Sequence, residues 1–335
     1  MITMDAYLKA ISYYLPEKIV TNEDLAKEFS EWTAEKITAK IGVDERHVVK
    51  DNETALDLAV NAAEKLFFEH NIDRKSIDYI LLCTQSPDYF LPTSACIIQD
   101  KLKIPTSCGA FDFNLGCSGF IFGLMIAKGL IAASIANNVL LLTAETYTKH
   151  IHPKDKSNRT IFGAAAAATL ISTEGFAKIG NFDYGTDGSG ANNLMVKTGG
   201  MRYKSPMNDT KYDREGNVIS SDHLFMNGGE IFNFTADAVP VLVNNVLKNN
   251  GLNDDDIQLY VFHQANKYMI NYLRKLIGID KEKFYIYMSK VGNTVSSTIP
   301  IALFQAKKEN LLKGNVLIAG FGVGYSWGGT ILTVC

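Results

Sequence analysis

The sequence predicts an α/β fold made from two copies of one βαβαβ-type unit, and three observations predict it. Strand-type apolar runs alternate with helix-type runs along the chain, the pattern of parallel sheets with helices packed on their faces. Runs such as Asp78–Thr84 and Asn138–Thr143 are almost wholly apolar, as strands covered on both faces are. The order of the first half then returns in the second. Ile257–His263 with a helix over 266–277 repeats the strand–loop–helix of 77–103. Phe284–Tyr287, Gly292-Asn293 and a helix over 297–310 repeat the strand–turn–helix of 111–136. Asn315–Gly320 and Gly328–Val334 repeat the strand pair 138–143 and 167–172. The halves are assigned as 1–175 and 176–335. In such sheets ligands gather at the carboxyl ends of strands.

Taken in order, Tyr7–Tyr14 reads as a strand closed by Leu15-Pro16. Helical segments follow over Asn22–Phe29 and Ala34–Ile41, and Gly42 supplies the left-handed residue that ends the second. A turn over Gly42–His47 leads into a short strand. Thr54–His70 has apolar residues at 55, 56, 59, 62, 63, 66 and 67, and Thr54 with Asp57 forms a capping box: an amphipathic helix. A helix over 93–103 begins after Pro92. Phe120–Ala136 is apolar apart from Lys128, which near its centre argues against a membrane span and for a helix buried on all sides. Between about 183 and 224 neither period survives, and a loop of that length is usually functional. Helical character returns at Gly228–Leu247, with Pro240 expected to kink or restart it.

The composition bounds the function. The chain has 335 residues, 47% hydrophobic and 21% charged, with a net charge of −3. That is ordinary globular composition, with no basic surplus and no motif for nucleic acid. The N-terminus, Met1–Leu8, carries no signal-peptide pattern. Five scattered cysteines (83, 96, 108, 117, 335) show neither metal spacing nor a CxxC pair, and fit a reducing cytoplasm. No metal or redox cofactor is expected.

The chemistry centres on Asn114-Leu-Gly-Cys-Ser-Gly119, where a strand, a glycine-flanked turn and a helix would put Cys117 at a helix N-terminus. Unpaired N–H groups and the helix dipole would favour its thiolate there. Taken alone, Cys117 could equally be a packed small residue, His263 a buried histidine on a carbonyl, and Asn293 a turn asparagine. The duplication weighs against three coincidences, because it sets all three at equivalent strand ends. A thiol beside a His and an Asn suffices for acyl chemistry on a thioester.

Asn114–Gly119, Phe262-His-Gln-Ala-Asn266 and Val291-Gly-Asn-Thr294 resemble the Cys, His and Asn motifs of β-ketoacyl-acyl carrier protein synthase III. Gly42–His47, Pro92–Ala95 and Phe321–Gly328 extend the likeness over nearly the whole chain. The resemblance implies a thiolase-like fold, its two halves forming a five-layer αβαβα arrangement. It implies a cytoplasmic homodimer that acylates Cys117, the acyl group and a malonyl thioester arriving on coenzyme A or on the phosphopantetheine of acyl carrier protein. Backbone N–H groups of Cys117 and Val323 would hold the oxyanion. His263 Nε2 and the Asn293 amide would donate to the enolate left by decarboxylation, and no cofactor is needed. Phe90, Leu91 and Phe232 are expected at the acyl pocket, Leu91 where a partner-subunit aromatic often stands. Lys36, Lys40, Lys267, Arg274 and Lys275 are expected to meet coenzyme A or the carrier.

The chain also departs from the family pattern. Lys36 takes the place of an adenine-stacking tryptophan, with Trp32 four residues early. Tyr268 stands where an arginine is usual, and Phe162-Gly-Ala-Ala-Ala166 has lost an aspartate. These changes favour a second reading beside fatty-acid initiation: an acyltransferase or ketide synthase of a specialised or surface-polysaccharide pathway. A catalytically dead scaffold is disfavoured by the presence of all three reactive residues.

Overall fold

The computed structural model describes residues 4–214 and 216–335. Met1–Thr3, on which part of the signal-peptide reading falls, lie outside the described residues. In chain order the elements are β1 (Tyr7–Tyr14), β2 (Lys18–Thr21), α1 (Asn22–Glu28), α2 (Ala34–Ile41), β3 (Glu45–Val48) and α3 (Ala55–His70). Then come β4 (Tyr79–Cys83), α4 (Ser94–Lys101), β5 (Gly109–Phe113), α5 (Gly119–Ala132), β6 (Asn138–Glu145), α6 (Lys156–Ile161), β7 (Ala165–Ser172) and β8 (Ala177–Thr186). Four two-residue strands follow: β9 (Leu194–Met195), β10 (Lys211–Tyr212), β11 (Val218–Ile219) and β12 (Phe225–Met226). The chain ends with α7 (Gly228–Asn250), β13 (Ile257–Phe262), α8 (Lys267–Ile277), α9 (Thr298–Lys308), β14 (Asn315–Gly322) and β15 (Ser326–Val334).

Nine strands join in the order β13-β14-β15-β8-β1-β7-β6-β4-β5. Read outward from the β8–β1 seam, the two sides carry the same sequence of roles. The seam is short: Tyr7 pairs with Lys178 and Leu8 with Ala177. Phe284 bridges Tyr260 in parallel, at the position β5 holds in the other half. Only this bridge forms where a strand over 284–287 was expected. The sheet is mixed, since β7 and β15 run antiparallel to their neighbours. The expected parallel crossovers hold for β4–α4–β5–α5–β6, where β4 pairs in parallel with β5 and β6.

The strands read as apolar runs because both faces are buried. Along β6, Val139 and Leu141 enter one core while Leu140 and Leu142 enter another. Along β14, Val316 and Ile318 face the same middle core, and Leu317 and Ala319 the outer one. The middle core holds α5 and α9, which touch strands of both halves. With α3 and α4 outside one half and α7 and α8 outside the other, the result is five layers, αβαβα.

Lys128 in α5 is explained by this packing: its Nζ donates to the carbonyls of Ile179 (3.0 Å) and Gly180 (2.7 Å), where β8 departs from regular pairing. Among the described residues no helix is long and apolar enough to cross a membrane. Pro240 lies inside α7 without breaking it, because the helix is held on β8, β14 and β15. Sequence periodicity missed β2, α6 and β8, which are short or half-exposed.

Candidate active site

Cys117 lies in the turn after β5, two residues before α5. Strand β14 of the second half passes directly over it. A Cβ on Gly322 would stand 3.1 Å from Cys117 Sγ, and one on Gly320 2.8 Å from the Cys117 carbonyl, so β14 can cross there only with glycine. Two buried serines lock this crossing. Ser326 Oγ donates to the Val323 carbonyl (2.9 Å) and therefore accepts from Ser118 Oγ (2.6 Å). The Val323 peptide is thus tied to the residue that follows the thiol.

His263 follows β13, its N–H donating to the Ala319 carbonyl (2.8 Å). Thr298 Oγ1 gives its only proton to the Val295 carbonyl (3.0 Å), so it accepts from His263 Nδ1 (2.8 Å). The proton is thereby fixed on Nδ1, and Nε2 is left with a lone pair. Burial pulls the His263 pKa down to about 3, against a hydrogen bond to the Val295 backbone, and the ring is neutral.

Gly292, at φ +70°, lets the chain turn where a Cβ would be 2.9 Å from the Ile161 carbonyl. Asn293 Oδ1 accepts from Val295 N–H (2.9 Å) and Nδ2 donates to the Ala265 carbonyl (3.3 Å), which orients the amide and leaves its second N–H. Val295 serves both side chains and adopts φ +56°, a left-handed conformation costly for a β-branched residue. The other motif residues are structural. Gln264 staples β13 to Tyr287 N–H (2.7 Å), and Asn266 caps α8 by accepting from Met269 N–H (2.9 Å).

Cys117, His263 and Asn293 all line one cavity of about 450 Å³. Trp32, Lys40 and Tyr268 line it too, and its walls are mainly apolar, from Ile161, Phe162, Ile231 and Met269. The thiol differs from the sequence expectation: burial and the Glu145 carboxylate push Cys117 up to about 12, so it rests as a thiol. Desolvation outweighs the helix N-terminus here. Glu145, itself buried and raised to about 8, accepts from Gln85 N–H (2.9 Å) and Ser86 Oγ (3.1 Å).

Comparison with known proteins decides the family. Residues 111–188 match the model of 3-oxoacyl-[acyl-carrier-protein] synthase III, and residues 247–334 that of its C-terminal part. The chain is 36% identical to a β-ketoacyl-[acyl-carrier-protein] synthase III of Clostridium perfringens, over 98% of this chain and 99% of that protein. The chain belongs to the β-ketoacyl-[acyl-carrier-protein] synthase III family. A solved 3-oxoacyl-(acyl-carrier-protein) synthase III superposes with TM-score 0.96 at 45% identity, covering 98% of this chain and 99% of the other. A synthase from Burkholderia xenovorans LB400 gives 0.90 at 36%, covering 99% and 95%.

Against the synthase III pattern, the binding residues fall into three groups. Lys40, Lys267 and Lys275 share a surface depression of about 300 Å³ beside the cavity mouth with Tyr268 and Tyr272. Gly42 sets this contact, since a Cβ there would meet Lys267 Cβ at 2.4 Å. Lys36 and Trp32 line an adjoining hollow with Lys40, whose Nζ sits 5.6 Å from the Trp32 ring centre. Trp32 thus reaches the mouth from its early position in the sequence.

Four residues stand elsewhere. Arg274 is turned back on its own helix end, donating to the Ile279 carbonyl (2.7 Å) rather than facing the mouth. Phe232 points one residue round α7 from the cavity wall, against Tyr268 and Tyr272, while Ile231 and Thr235 face the cavity. Phe90 and Leu91 do not line it and are 76% and 81% exposed. Thr298, Val295, Ser118, Ser326 and Glu145 were missed because hydroxyls, a backbone contact and a buried acid carry no periodicity or spacing signal. Among the described residues no cluster of three or more His, Cys, Asp or Glu could hold a metal.

Proposed function

We propose that this protein is an acyltransferase that condenses a Cys117-bound acyl group with malonyl-acyl carrier protein, giving a β-ketoacyl thioester and CO₂ as in fatty acid initiation. The observation that carries the reading is the convergence of Cys117, His263 and Asn293 on one cavity that leads to a basic mouth. As Cys117 Sγ attacks the thioester carbon, its proton passes to the His263 Nε2 lone pair. Cys117 and Val323 N–H groups receive the oxyanion. The donor C–S bond breaks, and the departing thiolate takes the proton from Nε2.

Entry of the malonyl carboxylate raises the affinity of Nε2 for a proton, drawn from water. This is the proton that decarboxylation consumes overall. The C–CO₂ bond then breaks, and the enolate oxygen accepts from Nε2–H and Asn293 Nδ2. The carbanion attacks the acyl carbon, and the Cys117 thiolate leaves and recovers its proton. No cofactor enters these steps.

Trp32 and Lys40 would receive the nucleotide of coenzyme A, and Lys36, Lys40, Lys267 and Lys275 the acidic carrier protein. We read the chain as two catalytic halves, 1–175 with the nucleophile and 176–335 with His and Asn. We further read it as a cytoplasmic homodimer in which the partner's exposed Tyr89–Leu91 loop closes the acyl site. The replacement of the stacking tryptophan by Lys36 favours a second reading, a ketide synthase of a specialised pathway with the same chemistry. The test separates the two half-reactions: Asn293→Ala should keep acyl-Cys117 formation within several-fold and lose about 10²–10³ in CO₂ release. Equal loss of both would overturn the role of Asn293, and an acyl adduct in the wild type without CO₂ release would overturn the condensation.

A further inference from the structure

The reaction proposed above sets a packing problem. The acyl group on Cys117 must leave the cavity before a malonyl thioester can enter by the same mouth, so a second space beside the thiol has to take it. A cavity of about 200 Å³ stands there. It shares Leu194 with the main cavity, and its Val323 directly follows Gly322, which lines the main one. Its Gln85 side chain reaches to 2.7 Å from where a Cβ on Gly116 would be, next to the thiol. At the roughly 30 Å³ that a water occupies in the liquid, it takes about half a dozen non-hydrogen atoms.

The lining is mixed: beside the apolar Leu194, Met195, Val196, Leu224 and Val323 it carries a polar side. Gln85, Asn114, Tyr147 and His150 all face it. Three of them form a directed chain: the Tyr147 hydroxyl donates to Gln85 Oε1, and Gln85 Nε2 donates to Asn114 Oδ1 (3.0 Å). Gln85 is held in turn through its own N–H by Glu145 (2.9 Å). With these bonds made, the Tyr147 oxygen remains an acceptor and the Asn114 amide a donor. A hydroxyl, which both donates and accepts, can pair with either end of this chain. A methyl in the same place would cover them without replacing water.

We infer that the cavity behind Cys117 selects a short primer bearing a hydroxyl group, of the size and polarity of a 3-hydroxybutyryl chain. Straight or branched alkyl chains are the disfavoured class. This rests on the condensing reading of Cys117.

The test compares two acyl-CoA donors of equal shape, 3-hydroxybutyryl-CoA and 3-methylbutyryl-CoA, with acetyl-CoA as a third. Acyl-Cys117 formation by the full chain is followed by intact mass. The hydroxyl-bearing donor should acylate about tenfold faster, measured as the second-order rate constant, than its methyl isostere. In Tyr147→Phe and in Gln85→Leu the ratio of the two rate constants should fall toward one, a readout that an overall loss of activity leaves unmoved. A wild-type ratio at or below one, with acetyl-CoA still labelling Cys117, would overturn this inference and leave the condensing reading standing. Failure of all three donors, and of their carrier-protein thioesters, to acylate Cys117 would overturn both.

Discussion

The inner end of the cavity and its mouth are built on opposite terms. At the inner end His263 is fixed twice over, by Thr298 and the Ala319 carbonyl, as is Asn293, by Val295 and Ala265, and the glycine crossing is held by the Ser118–Ser326 bond. The His263, Asn293, Thr298, Val295, Ser118 and Ser326 side chains are all buried. At the mouth, Lys36, Lys40, Lys267 and Lys275 are exposed, and Trp32 is half-buried with Lys40 over its ring. The difference teaches where the protein has spent order. Charge stabilisation needs donors fixed in advance, whereas carrier docking needs charge of the right sign at roughly the right place.

Four substitutions sharpen or break this contrast. In the proposed reaction His263 takes the thiol proton and later donates to the enolate, so in His263→Ala acylation and CO₂ release should each fall by about 10²–10⁴. Retained acylation in that variant would mean that Cys117 loses its proton by another route. Ser326→Ala frees the Val323 peptide and should lower kcat by about tenfold with KM little changed. Stopped-flow acylation kinetics would read the split. At the mouth, Lys40→Ala should raise KM for the coenzyme A donor about three- to fivefold at constant kcat, with a shallower salt dependence than wild type. A fall in kcat instead would extend the fixed region outward to Trp32.

The smallest effect belongs to Glu145. Its pKa is raised in the folded chain from an ordinary 4.5 to about 8, so the stability it contributes is full below about 4.5 and is lost as the pH rises through about 8. Glu145→Gln keeps a neutral partner for Ser86 and should lift Tm at pH 8 by about 2–4 °C relative to wild type, and less at pH 5. An equal shift at both pH values would show that the carboxyl does not titrate in this range.

The unequal build also decides what was legible in the sequence. The strands and helices around the inner end could be read because burial on both faces leaves continuous apolar runs, as in β4, β6 and β14. Cys117 and Asn293 could be read because each sits in a glycine-marked turn, and His263 because it ends a strand-type apolar run, at matching points of the duplication. The resting state of the thiol could not, because it follows first from burial by segments remote in the sequence, with the buried Glu145 adding to it through space from a strand that looks like any other. Nor could the direction of Arg274, which depends on a single carbonyl past the end of α8. β8 was overlooked because its residues alternate between core and solvent while a bulge interrupts its pairing, so neither period persists.

The central position of α5 has a consequence for how the chain is made. This helix lies between strands of both halves, and the turn that carries Cys117 is roofed by β14, from the last tenth of the sequence. During synthesis α5 is complete long before the residues that will cover its second side. The glycines that pass over the thiol emerge almost last. Cys117 therefore shares one cavity with His263 and Asn293 only once β14 has closed over its turn, and until then α5 is an apolar helix with one side uncovered.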